Sequence, residues 1–143
     1  MPHLVILYTG QLEAEVHMPS LCRALADAML TVQDDEGQQV FPTGGTRVLA
    51  YPAPHYAVAD GGAAGKAAGG SGDYAFVYLN LRMGKGRSEA TQQRAGETLV
   101  AVAKAFFAPV MAKRHIGITL QIDVGPEVFD AKHSNLHPLF QKN

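Results

Sequence analysis

Apolar and polar positions fall into two successive patterns that repeat along the chain. His3–Tyr8 is rich in aliphatic and β-branched residues and reads as a strand. Leu21, Leu25, Ala28, Met29 and Val32 then recur at three- and four-residue steps, the stripe of an amphipathic helix. Pro19 suits the first turn of that helix, where no amide hydrogen is needed. The polar run Asp34–Gln39 ends it, and Arg47–Tyr51 resumes a strand pattern. The second half opens at Asp73. Ala75, Val77, Leu79, Leu81 and Met83 alternate with Tyr74, Phe76, Tyr78, Asn80 and Arg82, so one face is continuously apolar. After the tight Gly84-Lys85-Gly86 turn, Ser88 is an N-cap candidate for a helix with Ala95, Leu99, Val102, Ala103, Phe106 and Val110 on one side. Pro109 should bend that helix or mark the beginning of its end. Ile116, Ile118, Leu120 and Ile122 alternate with Gly117, Thr119, Gln121 and Asp123 as a fourth strand.

Each half is therefore strand–helix–strand, over about residues 2–52 and 73–123. The pattern predicts a single α/β (α+β) domain over 1–143, with a four-stranded sheet and two helices packed on one face. Strands joined through a helix should be parallel with a right-handed crossover, and a pseudo-twofold axis should relate the halves.

Between the halves, 61–72 is almost entirely glycine and alanine, with one Lys66 and one Ser71. A phosphate-binding loop needs Gly, four residues, then Gly-Lys-Ser/Thr. Here Ala67 follows Gly65-Lys66, Asp60 stands five positions before Gly65, and no helix onset is expected after it. The segment reads as a flexible connection that does not form a packed element.

Composition narrows the class of function. A chain of 143 residues with 47% hydrophobic content can bury a real core. A formal charge of −1 argues against nucleic acid or an acidic membrane as an electrostatic partner. One cysteine, Cys22, rules out an internal disulfide framework and fits a reducing cytosol. No signal-peptide pattern opens the chain, and no apolar run approaches the ~20 residues of a membrane span, so the expectation is a soluble cytoplasmic protein.

The chemistry worth weighing starts at the first two residues. Methionine before proline is commonly trimmed, which would leave Pro2 with a free secondary amine at the head of a buried strand. An α-amino group titrates near ~7.7–8.0, and burial or neighbouring cations lower that value toward the range where a general base works well. Arg47 and Arg87 stand at a strand end and at a strand-to-helix turn. Their planar forks bind carboxylates bidentately, and their charge would favour a neutral prolyl nitrogen. Alone, each of these three residues has an ordinary reading: a common second residue and two solvated charges. His133 and His137 are four apart, but no third ligand follows at metal-site spacing. Cys22, beside Leu21 and Leu25, reads as a buried thiol and not a nucleophile.

The ordered set of motifs carries more than any single one. Met1-Pro2-His3, Met18-Pro19-Ser20-Leu21, Phe41-Pro42 followed by Arg47, and Ala59-Asp60-Gly61 occur in the first half. Asp73-Tyr74-Ala75-Phe76-Val77, Gly84-Lys85-Gly86-Arg87-Ser88, Gln92–Glu97 and Asn135–Phe140 follow. With these motifs the chain resembles the tautomerase superfamily, and most closely the 5-carboxymethyl-2-hydroxymuconate isomerases, over nearly its whole length. The Gly-Arg-Ser turn is also similar to that of the shorter 4-oxalocrotonate tautomerases.

The resemblance implies that Pro2, freed of Met1, is the catalytic acid and base, and that Arg47 and Arg87 bind substrate carboxylates. It implies a reaction that moves a proton from an enol hydroxyl to a remote carbon of a dicarboxylate or tricarboxylate dienol, without metal or organic cofactor. It further implies a homotrimer and a place in homoprotocatechuate breakdown; on physical grounds the Ala131–Phe140 segment, with Leu136, Leu139 and Phe140, is expected to pack on a neighbour and cover a sheet edge. Two alternatives stand beside this: a non-catalytic anion-binding relative that retains Met1, and a tautomerase-type enzyme with another substrate. The chain departs from the family pattern by extra residues at 34–39 and 61–72.

Overall fold

The computed structural model describes residues 2–140. Four strands form one mixed sheet: β1 (His3–Thr9), β2 (Arg47–Ala53), β3 (Ala75–Met83) and β4 (Ile116–Val124), in the order β2-β1-β3-β4. β1 runs parallel to β2 and β3 parallel to β4, while the two central strands, β1 and β3, are antiparallel. Long helices α1 (Met18–Thr31) and α3 (Glu89–Met111) connect the parallel pairs. A short helix, α2 (Ala63–Ala67), lies between the halves. The expected pair of strand–helix–strand units is thus joined at the centre of the sheet.

Alternation decides which face is covered. Leu4, Ile6 and Tyr8 of β1 and Ala75, Val77, Leu79, Leu81 and Met83 of β3 are all buried. Against them pack Met18, Leu21, Leu25 and Met29 of α1, and Thr91, Ala95, Leu99, Ala103 and Phe107 of α3. Phe107 is fully buried in place of its neighbour Phe106, which sits at the core's margin in an edge-on contact with it. Each fully buried side chain of this size contributes roughly 1.5–3 kcal/mol of apolar transfer. The opposite face carries Leu7, Leu49 and Tyr51, each about half exposed.

Ends of elements follow their local chemistry. Ser88 is the N-cap of α3, its Oγ accepting from Thr91 N at 3.1 Å. Pro19 occupies the first turn of α1, and Pro109 lies two residues before α3 stops. Pro52 extends β2 beyond the expected Tyr51; an edge strand tolerates the missing amide hydrogen.

The glycine-rich segment corrects the expectation of a flexible connection. Asp60 accepts from Gly62 N and Ala64 N at 2.8 and 2.9 Å and so opens helix α2. Gly65 N donates to the Tyr74 hydroxyl at 2.8 Å, and a Cβ on Gly65 would stand 2.7 Å from the Tyr74 ring. Gly62 has φ +115° and passes so close to Gly72 that a Cβ would meet its carbonyl oxygen at 2.2 Å. Here glycine permits close packing of backbone, which a composition-based reading takes for looseness.

Candidate active site

Because β1 is parallel to β2 and antiparallel to β3, the start of β1, the start of β2 and the end of β3 share one end of the sheet. His3 faces Arg47 across one ladder and Arg82 across the other. Pro2, buried, precedes His3 at that end. Arg47 opens β2, and Arg87 follows the Gly84-Lys85-Gly86 turn that ends β3. Met1 lies outside the described residues.

Both guanidinium groups are half-buried and both brace the same short segment. Arg47 Nη1 donates to the carbonyls of Gly44 at 2.7 Å and Thr46 at 3.1 Å. Arg87 Nη2 donates to the carbonyl of Val40 at 3.1 Å. Between these anchors Phe41 is fully buried, which fixes the segment in the core. Arg87 Nη1 also reaches the Gly84 carbonyl at 3.5 Å, and a guanidinium has five N–H donors in all.

A hairpin supports Arg87 from outside. Gln33 and Gln39 form an isolated bridge, and Asp34 Oδ1 closes the turn by accepting from the amides of Glu36 and Gln38, each at 2.9 Å. Asp35 then accepts from the Ser88 hydroxyl at 2.7 Å and from Arg94 Nη2 at 3.0 Å. The Ser88 hydroxyl beside it, and then Arg94, hold the Asp35 carboxyl below its ordinary range. Residues 34–39 are thus a brace on the start of α3, next to Arg87.

After β4 the chain crosses this end of the sheet. Gly125 N reaches the Met83 carbonyl at 3.4 Å, and Asp130–Leu136 run beside His3 and Arg47. His137–Phe140 form a short 3-10 turn against Thr43–Gly45, with Gly44 close beneath His137 and Phe140. In this chain, the end of the segment expected on a neighbour rests on its own Thr43–Gly45 turn. An open cleft of about 700 Å³ lies between this strap and the sheet, lined by His3, Arg47 and residues 130–136. Of the three residues nominated from sequence, Arg47 lines it; Pro2 and Arg87 do not.

His3, Lys132 and the brace residues Asp35 and Arg94 were missed by sequence reading. Their only sequence signal is polarity, and the more than 80 positions separating the strap from His3 and Arg47 leave no local spacing to detect. Among the described residues no three His, Cys, Asp or Glu side chains converge as a metal site. Cys22 is partly buried, and burial pushes its thiol pKa up, away from the reactive thiolate.

Residues 2–140 match the family model for 5-carboxymethyl-2-hydroxymuconate isomerase. The chain belongs to that family and is an isomerase. A crystal structure of a 5-carboxymethyl-2-hydroxymuconate delta-isomerase is 69% identical, with a TM-score of 0.97, covering 100% of this chain and 95% of that one. A 5-carboxymethyl-2-hydroxymuconate isomerase from Deinococcus radiodurans R1 is 32% identical, with a TM-score of 0.79, over 99% and 95% of the two chains. The Escherichia coli 5-carboxymethyl-2-hydroxymuconate Delta-isomerase is 27% identical over 99% of this chain and 100% of its own length. Family membership decides for an enzyme over the non-catalytic alternative. The four-stranded sheet with two helices on one face is the tautomerase architecture that the motifs implied. Among the described residues, no helix is long and apolar enough to cross a membrane.

Proposed function

We propose that this isomerase converts 5-carboxymethyl-2-hydroxymuconate to its unsaturated 2-oxo isomer in the cytoplasmic breakdown of homoprotocatechuate, with Pro2 as general acid and base. The observation that carries the reading is the burial of Pro2 at the head of β1, with Arg47 opening the adjacent strand and Arg87 just past the end of the other neighbour. With Met1 removed, the prolyl nitrogen takes the proton of the 2-hydroxyl. The oxygen lone pair becomes the carbonyl π bond, and the diene electrons move toward the far carbon. The same nitrogen then returns the proton to that carbon, so reactant and product differ only in proton and double-bond position. Arg87 stabilises the charge that develops at the oxygenated end, and Arg47 holds another carboxylate. Conjugation in the substrate carries the charge that a cofactor would otherwise have to carry.

A trimer fits the same surface. The uncovered sheet face bears half-exposed Leu7, Leu49 and Tyr51, while β2 and β4 are edge strands, and both features call for cover. Light scattering at micromolar concentration is expected to give three chain masses; a monomer mass refutes this assembly.

The experiment for the mechanism compares Met1-free protein, verified by intact mass, with protein carrying one extra residue ahead of Pro2. That residue turns the prolyl nitrogen into a tertiary amide without basicity. Turnover of the dienol, followed by its ultraviolet absorbance, is expected to fall by ~10²–10⁴-fold. Full activity in the blocked protein removes Pro2 from the mechanism.

A further inference from the structure

The substrate proposed above bears three carboxylates, whereas the two arginines provide one planar fork apiece. The third carboxylate therefore needs a cation that neither arginine supplies. The cleft beside Arg47 holds one. Its far wall is the strap of residues 130–136, which brings Lys132 and His133 to the same space as His3 and Arg47. Lys132 is paired with Asp130, and that salt bridge is solvent-exposed on both sides, with 48% and 42% of the two side chains accessible. An exposed pair of this kind is weak, so the ammonium can exchange Asp130 for an incoming carboxylate at little cost. The cleft volume of about 700 Å³ lies in the range that small-ligand sites occupy.

We propose that the strap is a specificity element, in which Lys132 and His133 receive the carboxylate of the substrate's carboxymethyl arm, so that the enzyme selects tricarboxylates over dicarboxylates. The inference rests on the substrate reading above for the identity of the ligand. The charge pattern supports it independently: Arg47 and Lys132 outnumber the single Asp130 along the cleft, in a chain whose formal charge is −1. Ser134 and Asn135 add neutral hydrogen-bonding groups to the same wall. Selectivity of this sort depends on charge at one arm of the substrate and should be read in the ratio between two substrates.

The test uses full-length, Met1-free protein and the double substitution Lys132→Met, His133→Gln, both at exposed positions. Initial rates are measured on 5-carboxymethyl-2-hydroxymuconate and on 2-hydroxymuconate, which lacks the third carboxylate. The tricarboxylate-over-dicarboxylate ratio of kcat/KM is expected to fall about tenfold in the variant, through KM and not kcat, as loss of a charge-assisted hydrogen bond predicts. An unchanged ratio, with both substrates affected equally or not at all, overturns the proposal. Calorimetry with propane-1,2,3-tricarboxylate and glutarate supplies a readout that needs no turnover. The unaltered protein should bind the tricarboxylate about tenfold more tightly, and the variant should lose that preference. Absence of the preference in the unaltered protein also overturns the proposal. Absence of turnover on both dienols sinks the substrate reading instead, and calorimetry then decides the role of the strap.

Discussion

Two segments of this chain, the hairpin over 33–39 and the glycine-rich stretch over 60–74, brace opposite ends of the sheet. The hairpin lies at the end of the sheet where Pro2, Arg47 and Arg87 sit. Asp35 and the Gln33 carbonyl hold Ser88 and Arg94, the N-cap and second turn of the helix that follows Arg87. The glycine-rich stretch lies at the opposite end, where β1 and β2 finish and β3 begins. Its hydrogen bonds run among Asp60, Gly62, Ala64, Gly65 and Tyr74, and a Cβ on Gly70 would touch His115. Both segments are polar or small-residue stretches closed by an aspartate whose carboxyl accepts backbone or hydroxyl hydrogens. What separates them is the antiparallel pairing of β1 with β3, which sends one to the site and the other about a strand length away. Strand pairing alone therefore decides which end of the sheet each ordered segment serves.

The sharpest break of this comparison is Gly62→Ala. Positive φ and the approach to Gly72 make alanine strained and overpacked there, with an expected loss of about 2–4 kcal/mol, or roughly 6–12 °C in Tm. Steady-state kinetics of the folded fraction should not change. A fall in kcat/KM at a temperature where the variant is fully folded would show that the far end couples to the site.

Ser88→Ala should cost less stability and more function. Loss of the N-cap removes about 1 kcal/mol by urea denaturation. The same change leaves Asp35 tied to the helix through Arg94 alone and loosens the turn carrying Arg87, so kcat/KM should fall several-fold with the dienol proposed above. Unaltered kinetics would reduce the hairpin to a stability device.

The smallest expected effect concerns pH and sharpens the contrast. Asp35 is held low by the Ser88 hydroxyl and then Arg94; Asp60 is held low by the amides of Ala64 and then Gly62. A carboxyl with a depressed folded-state pKa contributes stability above its unfolded value, near ~3.9, and that contribution is lost as pH falls through the folded value. Asp35→Asn and Asp60→Asn should therefore each be less stable than the parent at pH 7, with the gap closing below about pH 4. Only the Asp35 variant should also alter kcat/KM. Urea titrations at pH 7 and pH 3, paired with kinetics at pH 7, separate the two.

Much of this was legible from residue order. The five-residue alternation from Ala75 to Met83 predicts one buried face, and all five are buried. Ser88 was legible as a cap, Pro19 as a first-turn residue and Pro109 as an approaching helix end, because each acts through its own backbone within one turn. Phe107 was not, since Phe106 and Phe107 are both compatible with the stripe and only the packing against the sheet selects one. The glycine-rich stretch misled for a related reason: glycine signals looseness by composition, but Gly62 and Gly65 are there to admit Gly72 and Tyr74 at short range.

The sequence by itself determined the two strand–helix–strand units, the apolar faces and the family, because those depend on periodicity and on motifs a few residues long. It also nominated Pro2, Arg47 and Arg87, through residue type and position beside turns. Only the tertiary structure decided that the three share one end of the sheet, that the 33–39 hairpin braces the helix beside Arg87, and that the strap brings Lys132 to Arg47. Those relations join residues some 40 to 90 positions apart, and their order follows from strand pairing and chain crossing, which leave no spacing in the linear sequence to read.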